Sequence, residues 1–172
     1  DQIHYPGFNM TGRYYTFSQG RAQFFALDTN QGKHFNDQLT WLETSLAQSS
    51  ADWKIVFGHH PVFSSGMHGS DRTLGEALTP ILERHGVQLY LCGHDHNYER
   101  TVALEGVTYL VCGNGARLRP VNSSPWTAYA ASRLGFTVFE VYPQHILLAA
   151  IDPEGQVFDQ AIIPLIASAA DI

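Results

Sequence analysis

Leu91-Cys92-Gly93-His94-Asp95-His96-Asn97-Tyr98-Glu99-Arg100 is the stretch on which the fold turns. The apolar residues from Val87 to Cys92 read as a short buried strand, and Gly93 ends it. Two histidines follow, one residue apart. In an extended loop, side chains at i and i+2 point the same way, so His94 and His96 are expected to converge on one spot. Imidazole nitrogen suits zinc, iron and other borderline divalent ions. A His-x-His alone is a weak signal, but a second stretch repeats its build. Lys54-Ile55-Val56-Phe57 reads as another buried strand, broken by Gly58 and followed by His59-His60-Pro61. Both histidine pairs therefore sit where open α/β sheets place their sites.

The flanking chain supplies the rest of a layered architecture. Upstream, two aromatic runs, residues 13–17 and 22–28, surround Ser18-Gln19-Gly20 and read as a hairpin. Asn36 is placed to cap a helix of about a dozen residues. The apolar face of that helix is Leu39, Leu42 and Leu46, with Trp41 and Ala47 beside it. Between the histidine pairs lies a Gly- and Ser-rich loop, residues 64–72. A helix follows in which Leu74, Leu78, Ile81 and Leu82 share a face and Gly86 stands at C′. Pro80 either kinks this helix or sits at N1 of one beginning at Thr79; the apolar pattern runs across it and favours the kink. Downstream come a Glu105-Gly106 turn, a strand over 107–112 and a long loop over 113–133. Three strands, over 135–142, 145–151 and 156–163, close the chain. Strands alternating with helices, then a run of hairpins, indicate an α/β sandwich.

At 172 residues the length fits one domain. A formal net charge of −6 with no basic stripe argues against a nucleic-acid partner. No apolar run approaches the roughly 20 residues of a membrane-spanning helix, so no membrane partner is expected. Cys92 and Cys112 each close an apolar strand and read as buried free thiols, with a bridge open if the two strands are neighbours. The chain begins with Asp1, and no signal peptide is visible.

Residues 58–69 (GHHPVFSSGMHG) and 90–100 (YLCGHDHNYER), in that order, resemble the last two metal-binding motifs of the calcineurin-like metallophosphoesterases. Within that family the pair is most similar to the purple acid phosphatases of the small tartrate-resistant type. Residues 25–29, 38–42 and 106–111 followed by Gly113 resemble the same proteins in the same order, so the likeness spans about residues 2–114. The resemblance implies an α/β fold, part of a four-layer α/β/β/α sandwich, with residues 1–172 forming one domain that is incomplete at its N-terminal side. It implies hydrolysis of phosphomonoesters at a dinuclear centre, iron paired with iron, zinc or manganese, in a secreted or periplasmic protein. By motif position, His59 and His94 resemble ligands of the second, divalent metal, and His96 a ligand of the first. His68 matches a position near the leaving-group oxygen, where it would donate a proton or hold the phosphate. His60 falls at a variable position and is expected to be a bystander. Asp95 is expected to point away from the metals, supporting the loop or facing solvent. Asn97, Tyr98 and Glu99 are expected to position the loop. Arg117 and Arg119 lie within conceivable reach of a substrate phosphate, but a solvated loop is the plainer reading. His4, His34, His85 and His145 are expected to play no part.

One departure matters. The family's three upstream motifs, Asp-x-Gly or Asp-x-His, Gly-Asp-x-x-Tyr and Gly-Asn-His-(Asp or Glu), do not occur, and the chain holds no Gly-Asp and no Asn-His dipeptide. Three histidines divided between two metals leave both sites too open. The expectation is therefore the C-terminal part of a catalytic domain, either nicked with its N-terminal fragment retained as a partner or a portion of a longer chain. An edge of the first sheet and an apolar helix face would otherwise be bare. The alternatives are a non-catalytic half-domain acting as a binding module, or a phosphodiesterase or nucleotidase on the same centre.

Overall fold

The computed structural model describes residues 12–165; His4 lies outside them. The expected hairpin is β1 (Tyr15–Gln19) and β2 (Ala22–Ala26), joined across Gly20, whose φ of 58° the tight turn requires. Helix α1 (Phe35–Gln48) leads to β3 (Trp53–Phe57), and helix α2 (Arg72–Arg84) leads to β4 (Leu89–Cys92). Then come β5 (Tyr98–Thr101), β6 (Thr108–Cys112), β7 (Thr127–Ala131), β8 (Phe136–Val141), β9 (His145–Ile151) and β10 (Val157–Pro164). Seven strands form one mixed sheet in the order β1-β2-β3-β4-β6-β5-β7, and three form a second in the order β10-β9-β8. β2, β3, β4 and β6 run parallel, so their C-terminal ends, and the loops that follow, share one edge of the sheet.

Strand parity sorts the core into two layers. Phe25, Val56, Tyr90, Tyr109 and Val111 face the helices and pack with Leu42 and Leu46 of α1 and Leu74, Leu78, Ile81 and Leu82 of α2. Their alternates, Trp53, Ile55, Leu89, Tyr98 and Leu110, face Ile146, Leu148, Ala150 and Ile163 of the small sheet. The order is α/β/β, three of the four layers expected. The outer face of the small sheet is apolar and exposed at Phe136, Val138, Val157 and Ile162. An ion pair also ties the two sheets: Asp159 accepts from Arg100 Nε (2.7 Å), Arg100 Nη2 (2.9 Å) and the Tyr98 hydroxyl (2.7 Å). Among the described residues no helix is long and apolar enough to cross a membrane.

Several local expectations are corrected. Asn36 does not cap α1. The helix starts at Phe35 after a Gly32 turn, with His34 in the capping position and no side-chain cap bond. Asp71, by contrast, caps α2, accepting from Leu74 N at 2.9 Å. Pro80 lies well inside α2, which runs unbroken from Arg72, so it opens no new helix at Thr79. The 113–133 loop contains a strand, β7, which pairs with β5, the strand that carries Tyr98 and Glu99. Cys92 and Cys112 lie on neighbouring strands but face opposite sides of the sheet, Cys92 toward the helices and Cys112 toward the small sheet. Both are free thiols.

Candidate metal centre

The parallel strands deliver the site. β3 ends at Phe57 and β4 at Cys92, and the two histidine pairs leave from that common edge. His94 adopts φ +63°, a left-handed conformation uncommon for a residue with a Cβ. The loop is thus a tight turn rather than extended, with Asp95 N donating to Gly93 O at 2.7 Å. His94 becomes the hub of the cluster. Its ring centroid lies 5.0 Å from that of His59, 4.7 Å from His60 and 4.5 Å from His68. His59, His60 and His94 each offer a nitrogen within 4.8 Å of the others, and His96 stands outside that group.

Two of the three have the geometry of ligands to one ion. His59 Nε2 and His94 Nδ1 are 3.0 Å apart. Two nitrogens each ~2.1 Å from one ion would be separated by ~3.0 Å at a right angle and ~3.4 Å at a tetrahedral one, so the pair, now within hydrogen-bond distance, is close to the spacing an ion needs. Both imidazoles are held below the usual histidine range. For His59 the cause is burial, then the charges of His60 and His96; for His94 it is burial, then His60, His68 and His59, opposed by Asp95. The neutral, lone-pair-bearing form therefore persists to lower pH. His60 is different. Thr29 Oγ1 accepts from the main-chain N of His59 (3.2 Å) and of His60 (3.0 Å), which leaves its own proton for His60 Nδ1 at 2.8 Å. A neutral His60 then carries its hydrogen on Nε2 and presents a donor to the cluster. Among the described residues, His96 Nδ1, which is buried, has no hydrogen-bond partner. An orphaned buried imidazole nitrogen suits a group that would ligate.

The loop bearing His68 is held by two buried carboxylates from the second motif. Asp95 is fully buried and accepts from Ser64 Oγ (2.6 Å), His68 N (2.8 Å) and Gly69 N (3.2 Å). Glu99 accepts from Ser65 N (2.6 Å), Ser65 Oγ (2.7 Å) and Thr127 Oγ1 (2.6 Å). These bonds replace the water that each carboxylate gives up. The approach is close enough to demand glycine twice. A Cβ on Gly66 would lie 2.4 Å from Asn97 Nδ2, and one on Gly113 would lie 2.0 Å from Asp95 O. Arg119, left to solvent by the plainer sequence reading, donates from Nη1 to His68 Nε2 at 2.5 Å. Arg117 is exposed. His34 and His85 lie on or beside the helices, and His145 begins β9 in the small sheet.

A family model described as calcineurin-like phosphoesterase matches residues 3–98, more than half of the chain. The chain belongs to the calcineurin-like phosphoesterases. Among curated members it is 33% identical over 137 residues to tartrate-resistant acid phosphatase type 5 of Mus musculus, covering 74% of this chain and 42% of that protein. It is 36% identical over 118 residues to purple acid phosphatase 17 of Arabidopsis thaliana, covering 65% of this chain and 35% of that one. The chain thus spans less than half the length of these relatives. Among solved structures, purple acid phosphatase PPD1 from yellow lupin seeds superposes with a TM-score of 0.82 at 22% identity, over 94% of this chain and 34% of that chain. GAP50, the anchor in the inner membrane complex of Plasmodium, superposes at 0.78 and 23% identity, over 91% and 54%. Both share the metallophosphoesterase fold, which the α/β/β layering here reproduces in part.

Proposed function

We propose that this calcineurin-like phosphoesterase chain supplies the histidine side of a dinuclear centre, and that the whole protein hydrolyses phosphomonoesters as an acid phosphatase. The observation that carries the reading is the 3.0 Å pairing of His59 Nε2 with His94 Nδ1 at the ends of adjacent parallel strands. His59 and His94 would hold one ion and His96, through its ring, the other. Iron, zinc and manganese all accept imidazole, and iron paired with one of the three fits the donor set. When bound, the two ions would neutralise phosphoryl oxygens and lower the pKa of an attacking water. The carboxylate and asparagine ligands of such a centre would come from a further segment of the same domain.

The chain's own side chains then orient the ester. His68, on a loop clamped by Asp95 and Glu99, faces His94 across 4.5 Å. A guanidinium has only protons to offer, so His68 Nε2 receives Arg119's hydrogen and does not present one of its own. While Arg119 holds it, His68 Nε2 has no proton for a leaving group or for a phosphate oxygen. His60, with Nε2–H directed by Thr29, is a donor beside the same space.

The test is hydrolysis of p-nitrophenyl phosphate by the purified protein before and after chelation. Activity that disappears with the metal, returns on adding zinc or iron, and is absent from His94→Ala supports the reading. Chelator-insensitive hydrolysis, or none after metal is restored, contradicts it.

A further inference from the structure

We propose that Arg119 is a substrate-contacting residue whose guanidinium binds the non-esterified oxygens of the phosphoryl group beside His68. The proposal rests on the phosphatase reading above. Arg119 comes from the segment after β6, and main-chain bonds fix it from both sides. Arg119 N donates to His96 O at 2.8 Å, Gly66 and Val121 form an antiparallel bridge, and Asn122 N donates to Ser65 O at 3.1 Å. The segment is therefore stitched to the metal-ligand loop at one point and to the His68 loop at two. Its position does not depend on the guanidinium's own contacts.

Those contacts are unusual for a cation. Nη1 meets His68 Nε2 at 2.5 Å and Met67 Sδ at 3.5 Å, one lone pair and one weak acceptor, neither of them charged. Among the described residues no carboxylate oxygen lies within 4.0 Å of the Arg119 guanidinium. Asp95, the acidic residue between the two motif histidines, has its oxygens turned to Ser64 Oγ and the main-chain N–H groups of His68 and Gly69. A solvent-facing guanidinium with five N–H groups has most of them uncommitted, beside His68 and the histidines it adjoins. Its planar fork matches two oxygens of a phosphate, and a tetrahedral dianion would draw it off the His68 ring. His68 Nε2 would then be freed at the moment of substrate binding.

The experiment is calorimetric titration, with inorganic phosphate at fixed ionic strength, of the metal-loaded whole protein with the segment carrying the remaining metal ligands present, on wild type, Arg119→Gln, Arg119→Lys and Arg117→Gln. Loss of one charge-assisted contact predicts about tenfold to hundredfold weaker binding for Arg119→Gln. Arg119→Lys should recover part of it, and Arg117→Gln should match wild type. Metal content, measured on each sample, should be the same throughout. Phosphate binding by Arg119→Gln indistinguishable from wild type, or no saturable binding by wild type, overturns the proposal. Failure to take up metal or to hydrolyse esters contradicts the phosphatase reading instead. Phosphate binding that still depends on Arg119 would leave the anion contact standing.

Discussion

At the scale of single residues, the site depends on groups that never touch a metal. Gly66 is the sharpest case. Its missing side chain leaves room for Asn97 and Asp95, and a methyl group would lie 2.4 Å from Asn97 Nδ2 and 2.5 Å from Asp95 Cγ. Both neighbours are fully buried, so neither swings away freely. Gly66→Ala is therefore expected to cost about 1–3 kcal/mol in thermal or denaturant unfolding. It should also lower kcat, because the clash displaces the His68 loop against the Asp95–Asn97 turn. Wild-type stability and kcat would show that the loop yields. Much at this scale was legible in the sequence: His59, His68 and His94 do meet. Arg119 and His60 were not. Arg119 reaches the site through main-chain bonds between segments more than 20 residues apart, which no local pattern encodes. His60 is set by Thr29, which lies after β2 and 31 positions away.

At the scale of elements, parity carried the fold and hydrogen bonding corrected it. The parallel strands were readable as largely apolar runs, broken only by single polar residues such as Gln23 and Lys54, because both their faces are covered. β7 was not, since Thr-Ala-Tyr-Ala-Ala becomes a strand only by pairing with β5. In α2 the apolar spacing outweighed the proline: Leu78 and Ile81 to either side of Pro80 both reach the core. The exposed Pro80 still denies the Glu76 carbonyl its usual donor. Pro80→Ala should stabilise the protein by about 1 kcal/mol or more, read as a raised unfolding midpoint; a lowered midpoint would mean the helix is built around the ring. The tie between sheets gives a pH prediction. Burial raises the Asp159 carboxyl, but hydrogen bonds from Arg100 and Tyr98 outweigh it and hold the group below the usual carboxylate range. The folded state then binds its proton less readily than the unfolded chain. The pair's stabilisation is fully present above about pH 4 and is lost as pH falls further. With Arg100 16% and Asp159 5% exposed, Asp159→Ala should cost about 3 kcal/mol near pH 7 and less at pH 3. A cost independent of pH would assign the effect to packing.

At the scale of the whole molecule, the three described layers account for the core but leave an apolar outer face on the small sheet. Ile162 is 67% exposed, Phe136 57% and Val157 55%. Studied on its own, this chain should self-associate with rising concentration in sedimentation, and Ile162→Lys with Val157→Lys should shift it toward monomer. Association unaffected by both changes would place the sticky surface elsewhere. The absent upstream motifs led to the expectation of a bare edge on the first sheet and a bare apolar helix face; the exposed apolar surface lies instead on the outer face of the small sheet, visible only once the strands were paired. The central claim is that two parallel strands bring His59 and His94 onto one ion. Its most direct test is metal content by elemental analysis of the purified protein, wild type beside His59→Ala and His94→Ala. The account predicts bound metal in the wild type and loss of an ion on removing either histidine. Metal content unchanged in both variants would contradict it.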